Sequence, residues 1–300
     1  MPGGFFMPSR IGIAVARQAL APRFQPSRRG FAWASCAMPA AIARMLWYLG
    51  PHALFVSIRR VSLFPLTASS AHLVHFLFEA LAFAFGGWLW RRARRASPEK
   101  QSALGFPVIV GCLFGAGTGN KLVAWIQDPH PLFSNGVWML PGQSMVGGLL
   151  GGWIGIELAK WIVGVRRSTG DDFWLPMLLG IAIGRLGCFL SGLHEATYGL
   201  PTSLPWGVDL GDGIPRHPAP LYEIVFVLAL AMALARAKLP LQVGLRFRLA
   251  ASGYLLWRLG IEAIKPAPWS WSGLSGIQWV CVAGLLWSMT ESVKLWRSGR

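Results

Sequence analysis

Apolar runs of bilayer-crossing length, broken by short polar stretches, set the pattern of this 300-residue chain. Crossing the hydrocarbon core as a helix takes about 20 predominantly apolar residues. Segments at 71–90, 103–126, 138–165, 173–190, 219–236, 249–264 and 277–296 meet or approach that length, the fourth and sixth being short and glycine-containing. They predict an all-α polytopic membrane protein of about seven transmembrane helices, forming one domain over residues 61–300.

The polar breaks alternate in charge. Those following the odd-numbered spans carry Arg91, Arg92, Arg94, Arg95 and Lys100; Arg166 and Arg167; Arg236, Lys238, Arg246 and Arg248; and Lys294, Arg297 and Arg300. The breaks at 127–137, 191–218 and 265–276 hold only Arg216 and Lys265. Short cytoplasmic loops are enriched in Lys and Arg, so the basic breaks and the C-terminus belong in the cytoplasm. The longest break, 191–218, then lies outside. Rich in Gly, Pro and Trp, it reads as an ordered extracytoplasmic cap between the fourth and fifth spans.

The first sixty residues differ. They carry eight Arg and no acid, the first acidic residue being Glu79, and Pro and Ser interrupt them. Such a start resembles a transit peptide. The favoured reading of 1–60 is a poorly ordered or spurious leader, with translation starting at an internal Met such as Met45; the alternative is a short interfacial helix near 38–58.

Composition supports the membrane reading. Charged residues make up 13% and hydrophobic residues 54%, whereas a soluble domain carries roughly 25% charged residues. The net charge of +16 does not indicate nucleic-acid binding, because the cations sit between spans rather than on one face. Cys36, Cys112, Cys188 and Cys281 are far apart in sequence. Their spacing supports neither a disulfide framework nor a metal site, and no cofactor is expected.

Charge inside the spans carries the chemistry. A charged side chain at bilayer depth costs about 2.5–3.5 kcal/mol on insertion scales, so it persists when paired or functional. His72, His75 and Glu79 share one helical face of the first span. Glu157 and Lys160, three apart, read as a structural pair. Arg185 lies in the fourth span, Glu223 opens the fifth, and Arg258 and Glu262 lie four apart in the sixth, near Tyr254. A purely structural account pairs Arg258 with Glu262 and Arg185 with Glu223. The favoured account gives both arginines to an anionic lipid head group, because a guanidinium fork matches phosphate oxygens. Charge developing on a departing phosphate would be stabilised there. The cap adds His194, Glu195, Asp209, Asp212, Arg216 and His217 on the same side, and His194 or Glu195 is a candidate to take a proton from a nucleophile. In the third span, the glycines of GGLLGGWIG (147–155) serve close helix packing, or else admit a lipid head group. For Cys188 both a thiol activated by a nearby arginine and an inert buried thiol stay open.

Four segments in order resemble the prolipoprotein diacylglyceryl transferase family. GRLGCFLSG (184–192) is similar to that family's GRxGNFxNGE, PRHPAPLYE (215–223) to RHPSQLYE, GYLLWRLGIE (253–262) to GYxxFRxxxE, and VGGLLGG (146–152) to HGGLxG. The resemblance covers roughly residues 61–300. It implies a bacterial inner-membrane enzyme that moves diacylglycerol from phosphatidylglycerol to the lipobox cysteine thiol of a secreted precursor, releasing glycerol phosphate. By position it implies that Arg185 holds the donor phosphate, with Arg258 as second cation, Tyr254 and Glu262 beside it, Gly199 closing the signature turn, and Arg216, His217, Tyr222 and Glu223 in the RHP motif.

The chain departs from the pattern at defined places. Cys188 and Ser191 stand where the signature has Asn. LHEATYG replaces ELWG, so Glu195 supplies the signature carboxylate only through a short insertion. Val146 replaces the His before the glycine pair, and His75 is the nearest counterpart of the family's HWYG on the first span. These changes fall where the acceptor thiol is handled. Two alternatives follow: a lipid-using transferase with another acceptor, whether another thiol or a different small or protein substrate, and a non-catalytic phospholipid-binding protein.

Overall fold

Among the described residues, each predicted apolar run contains one helix. The computed structural model describes residues 67–95, 105–129, 142–165, 168–195, 197–238, 244–267 and 270–298; the predicted leader, Cys36 and the 130–141 break lie outside them. The helices are α1 (Ala68–Arg95), α2 (Phe106–Gln127), α3 (Met145–Ile162), α4 (Trp174–Leu190), α5 (Ala219–Arg236), α6 (Leu245–Ile261) and α7 (Gly276–Ser298). Among the described residues, α1, α2, α3 and α5 are long and apolar enough to cross a membrane, and α4 is a shorter apolar helix.

Two boundaries differ from expectation, each for a local reason. α1 runs on through Arg95, so the first basic cluster is helical rather than a loop. Arg92 sits over the Trp88 ring at 5.6 Å and Arg94 over Trp90 at 4.9 Å, and cations are favourable in a last helical turn. α3 starts at Met145 instead of 138, because the Ser144 hydroxyl accepts from the Gly147 N–H and caps the helix there.

The glycine pattern of α3 is a packing device. α2 and α3 run antiparallel with Gly111, Gly115 and Gly119 against Gly155, Gly151 and Gly147. A Cβ on Gly151 would stand 2.2 Å from the Gly115 carbonyl oxygen, and one on Gly155 2.1 Å from that of Gly111. The backbones therefore touch, the close approach that small residues every fourth position permit in lipid. This answers the choice posed by GGLLGGWIG in favour of packing. Glu157 and Lys160 pair at 3.0 Å as read from their spacing.

The core lies among α3 to α7, with Leu178, Val227, Ala250, Ala251, Tyr254, Leu255 and Cys281 fully buried. Large apolar side chains elsewhere stand outward: Phe83 is 78% exposed, Phe114 75% and Trp161 79%. Such exposure suits lipid contact and not water.

Short elements form among the described residues of the 191–218 segment. A short turn (Gly192–His194) leads to strand β1 (Val208–Asp209), paired antiparallel with β2 (Pro215–Arg216). Asp209 accepts from the Gly211 and Gly213 N–H groups at the hairpin tip, where both glycines have positive φ. Gly199 donates to the His217 carbonyl, and Leu200 to that of Ile264 beyond α6. The segment is thereby tied over one end of α4, α5 and α6. A second hairpin, β3 (Ser270–Trp271) with β4 (Leu274–Ser275), precedes α7.

Candidate active site

Three helices bring the predicted intramembrane charges together. Arg185 comes from the last turns of α4, Glu223 from the first turns of α5, and Tyr254 and Arg258 from the last turns of α6; Glu262 opens the turn that follows. Glu223, 2% exposed, is the hub: Oε1 lies 2.9 Å from Arg185 Nε and Oε2 lies 3.2 Å from Arg258 Nη1. The Tyr254 hydroxyl donates to the same carboxylate at 2.7 Å. Arg258 also donates to Glu262 at 2.9 Å, and Gln127 at the end of α2 donates to the second Glu262 oxygen at 3.4 Å. Both pairings read from sequence are present, joined into one network because Glu223 serves two arginines.

All four charged groups are buried. Two guanidinium and two carboxylate groups balance, and each lies within ion-pair distance of an opposite charge, which is how buried charge is tolerated. Lys265, just past the Glu262–Ile264 turn, is half-buried beside them. Burial, together with the Arg258 and Arg185 charges, pushes its amine down to about 7. In the sequence Lys265 is a lone loop cation, and a single Lys after a span carries no signal of what it faces.

A second cluster adjoins the first. Glu195 Oε1 lies 2.7 Å from His75 Nδ1 and 3.5 Å from His72 Nδ1. His75 Nε2 lies 3.6 Å from Cys188 Sγ, and Arg185 Nη1 donates to that sulfur at 3.7 Å. Glu79 completes the α1 face, 3.5 Å from His75 Nε2. A neutral His75 donating through Nδ1 to Glu195 presents Nε2 as acceptor to the thiol. Burial would raise the Glu195 carboxyl, but the hydrogen bonds from His75 and His72 work against it, and the group is held below its ordinary value.

The closeness of α1 and α4 makes this possible. A Cβ on Gly187 would stand 2.5 Å from Phe78 Cβ, and the Ser191 hydroxyl donates to the Ala71 carbonyl at 2.9 Å. Both contacts clamp α1 against the end of α4, one residue on the N-terminal side of Cys188 and three on the other.

The remaining predicted residues occupy the surrounding shell. Ser191, 1% exposed, spends its hydroxyl on the Ala71 and Gly187 carbonyls. Gly199 allows backbone to pass close to His217 and Ile264, where a Cβ would meet His217 Cβ at 2.5 Å. Arg216 pairs with Asp212 and stacks over Tyr198 at 5.3 Å. His217 Nδ1 lies 3.3 Å from the Tyr222 hydroxyl, which accepts from Trp206 Nε1 at 2.7 Å. His194 is exposed at the end of its turn. A small cavity lies under the 191–218 segment, lined by Cys188, Phe189, Leu210, Arg216 and His217 among others.

Residues 72–293, which include both clusters, match the family model of prolipoprotein diacylglyceryl transferase. The chain belongs to the prolipoprotein diacylglyceryl transferase family. Similar proteins include the phosphatidylglycerol–prolipoprotein diacylglyceryl transferase of Nitratidesulfovibrio vulgaris strain DP4, 31% identical over 217 residues covering 64% of this chain and 78% of that protein. That of Legionella pneumophila strain Paris is 31% identical over 218 residues, 67% of this chain and 82% of its own length. That of Cupriavidus metallidurans is 40% identical over a shorter stretch of 104 residues, 31% of this chain and 35% of its own. As a member of the prolipoprotein diacylglyceryl transferase family this multi-pass membrane protein is a transferase.

Proposed function

We propose that this chain moves the diacylglyceryl group of phosphatidylglycerol to a thiol of a secreted precursor at the outer face of the bacterial inner membrane, releasing glycerol phosphate. The observation that carries the reading is the sharing of Glu223 by Arg185 and Arg258, two buried guanidinium groups with no apolar reason to be there. The alternating basic segments support a cytoplasmic C-terminus and seven crossings, which put the 191–218 cap outside.

In this reading the donor phosphodiester takes its place at Arg185, with Arg258 behind it. The forks grip phosphate oxygens in two-point fashion. The incoming sulfur bonds to the glyceryl carbon while the carbon–oxygen bond to phosphate breaks, and the negative charge leaves on glycerol phosphate. Preorganised cations at the departing oxygens lower that barrier. The thiol gives its proton to His75, which Glu195 orients, the pairing of base and orienting carboxylate that nucleophile activation needs. Glu262 and Tyr254 hold Arg258 and Glu223 in place. The donor adds one negative charge to a balanced cluster, and Lys265 takes up a proton to offset it.

Expression in bacteria depleted of their own diacylglyceryl transferase tests the reading. Precursor lipoprotein is expected to shift to its lipidated mobility with the wild-type chain and not with Arg185→Ala. An unshifted precursor with wild type, while phosphatidylglycerol still co-purifies with the protein, would instead favour a non-catalytic lipid-binding role.

A further inference from the structure

Beside the phosphate-binding arginine the chain carries a nucleophile of its own. Cys188, His75 and Glu195 stand in the order thiol, imidazole, carboxylate, with Sγ–Nε2 at 3.6 Å and Nδ1–Oε1 at 2.7 Å. Nucleophilic enzymes use this constellation on unrelated folds: the base takes the thiol proton and the third group fixes its orientation. Arg185 Nη1, 3.7 Å from the sulfur, supplies a donor where an oxyanion would form. Cys188, 4% exposed, is one of the residues lining the cavity under the 191–218 segment. That cavity joins apolar walls from Phe189, Val208 and Leu210 to polar groups from Arg216 and His217.

We propose that Cys188, His75 and Glu195 form a catalytic triad that removes a fatty acyl chain from a glycerophospholipid through a thioester on Cys188. The inference rests on the reading that a phospholipid sits at Arg185. His75 takes the thiol proton, and Sγ attacks the carbonyl carbon of an acyl ester. The tetrahedral intermediate places its negative oxygen towards Arg185. Collapse breaks the ester carbon–oxygen bond, and His75 returns the proton to the departing glycerol oxygen. The products are acyl-Cys188 and a lysophospholipid. Water then hydrolyses the thioester, giving a fatty acid and restoring the thiol, with no oxidant or reductant consumed.

The leaving group distinguishes this step from alkyl transfer at the same sulfur. Glycerol phosphate departs as a stable anion and needs no acid. A glycerol alkoxide does need one, and His75, protonated by the first step, is placed to supply it. A thioester also turns over, whereas a thioether on Cys188 would end the chain's activity.

The test uses the full-length protein in nanodiscs of phosphatidylglycerol with isotope-labelled acyl chains. Lysophosphatidylglycerol, fatty acid, glycerol phosphate and the mass of the Cys188 peptide are read from the same sample. The expected result is lysophosphatidylglycerol formation above empty nanodiscs and a single-acyl adduct on Cys188 that neutral hydroxylamine removes. Cys188→Ala and His75→Gln, checked for wild-type elution and melting, are expected to lower lysophosphatidylglycerol at least 100-fold. No lysophosphatidylglycerol from the wild-type protein overturns the proposal, as does a hydroxylamine-stable diacylglyceryl adduct. Glycerol phosphate released to an added thiol peptide without lysophospholipid would sink the triad alone; lysophospholipid without glycerol phosphate would sink the diacylglyceryl transfer and leave the triad standing.

Discussion

Arg185 Nε and Glu223 Oε1 lie 2.9 Å apart across α4 and α5, and the other oxygen of the same carboxylate holds Arg258 of α6. One acid thus fixes the spacing of two cations. Removing it strands Arg185 in a buried site and leaves Arg258 only Glu262, and breaking a buried pair from one side costs about 3–5 kcal/mol. Glu223→Gln is expected to lower the melting temperature in detergent far more than Glu157→Gln, whose partner contact is at a half-exposed carboxylate. Equal melting of the two variants would show that Glu223 does not carry this load.

Replacing Arg185 by Lys keeps the charge and removes the fork. Loss of one charge-assisted hydrogen bond costs about 1.5–3 kcal/mol, so glycerol phosphate release is expected to fall roughly 10- to 100-fold. Measured turnover within twofold of wild type would argue that charge alone suffices there.

The base predicts a graded loss. His75→Gln removes the proton acceptor, and general-base contributions run to roughly 10²–10⁴-fold. Glu195→Gln leaves the ring but not its orientation, so a smaller loss is expected. Because folding holds the Glu195 carboxyl below its ordinary 4.5, the contact with His75 is expected to stabilise the fold fully above that pH. The stabilisation is lost as pH falls through the lower folded value. Urea or thermal melts of wild type and Glu195→Gln between pH 3 and 7 should converge only at the acid end.

Lys265 predicts a pH dependence of donor binding. Its amine, pushed down to about 7, is charged below that value and neutral above it. Affinity for phosphatidylglycerol is expected to weaken as pH rises from about 6 to 8, with Lys265→Met flattening the profile. A profile unchanged by that substitution would remove Lys265 from the donor site.

The glycine seam predicts a local contrast. Gly151→Val drives a side chain into the Gly115 carbonyl and is expected to cost about 1–3 kcal/mol, from the overpacking it forces. Gly117→Val, on the same α2 helix, meets nothing within 4 Å and is expected to be tolerated. Yield of monodisperse protein and melting temperature read both.

Much of this was legible from residue order. Seven helices followed from apolar length, and the Arg185–Glu223 and Arg258–Glu262 pairs followed from the cost of intramembrane charge. Glu223 as a joint ligand of two arginines was not, because sequence spacing within one helix does not reveal the rotation of three. The meeting of Cys188 with His75 was half visible: His72, His75 and Glu79 marked a polar face on α1. What turned that face towards α4 was the absence of a side chain at Gly187, and a missing Cβ gives no pattern of its own. Glu195 was singled out for proton transfer without its partner, which lies 120 residues away.

The most direct measurement is a reconstitution in phosphatidylglycerol nanodiscs with a synthetic lipobox peptide carrying one cysteine. The account predicts glycerol phosphate and diacylglyceryl-thioether peptide in equal amounts from the wild-type chain, and neither from Arg185→Ala. Thioether product that persists undiminished in Arg185→Ala, or no product from wild type, would contradict it.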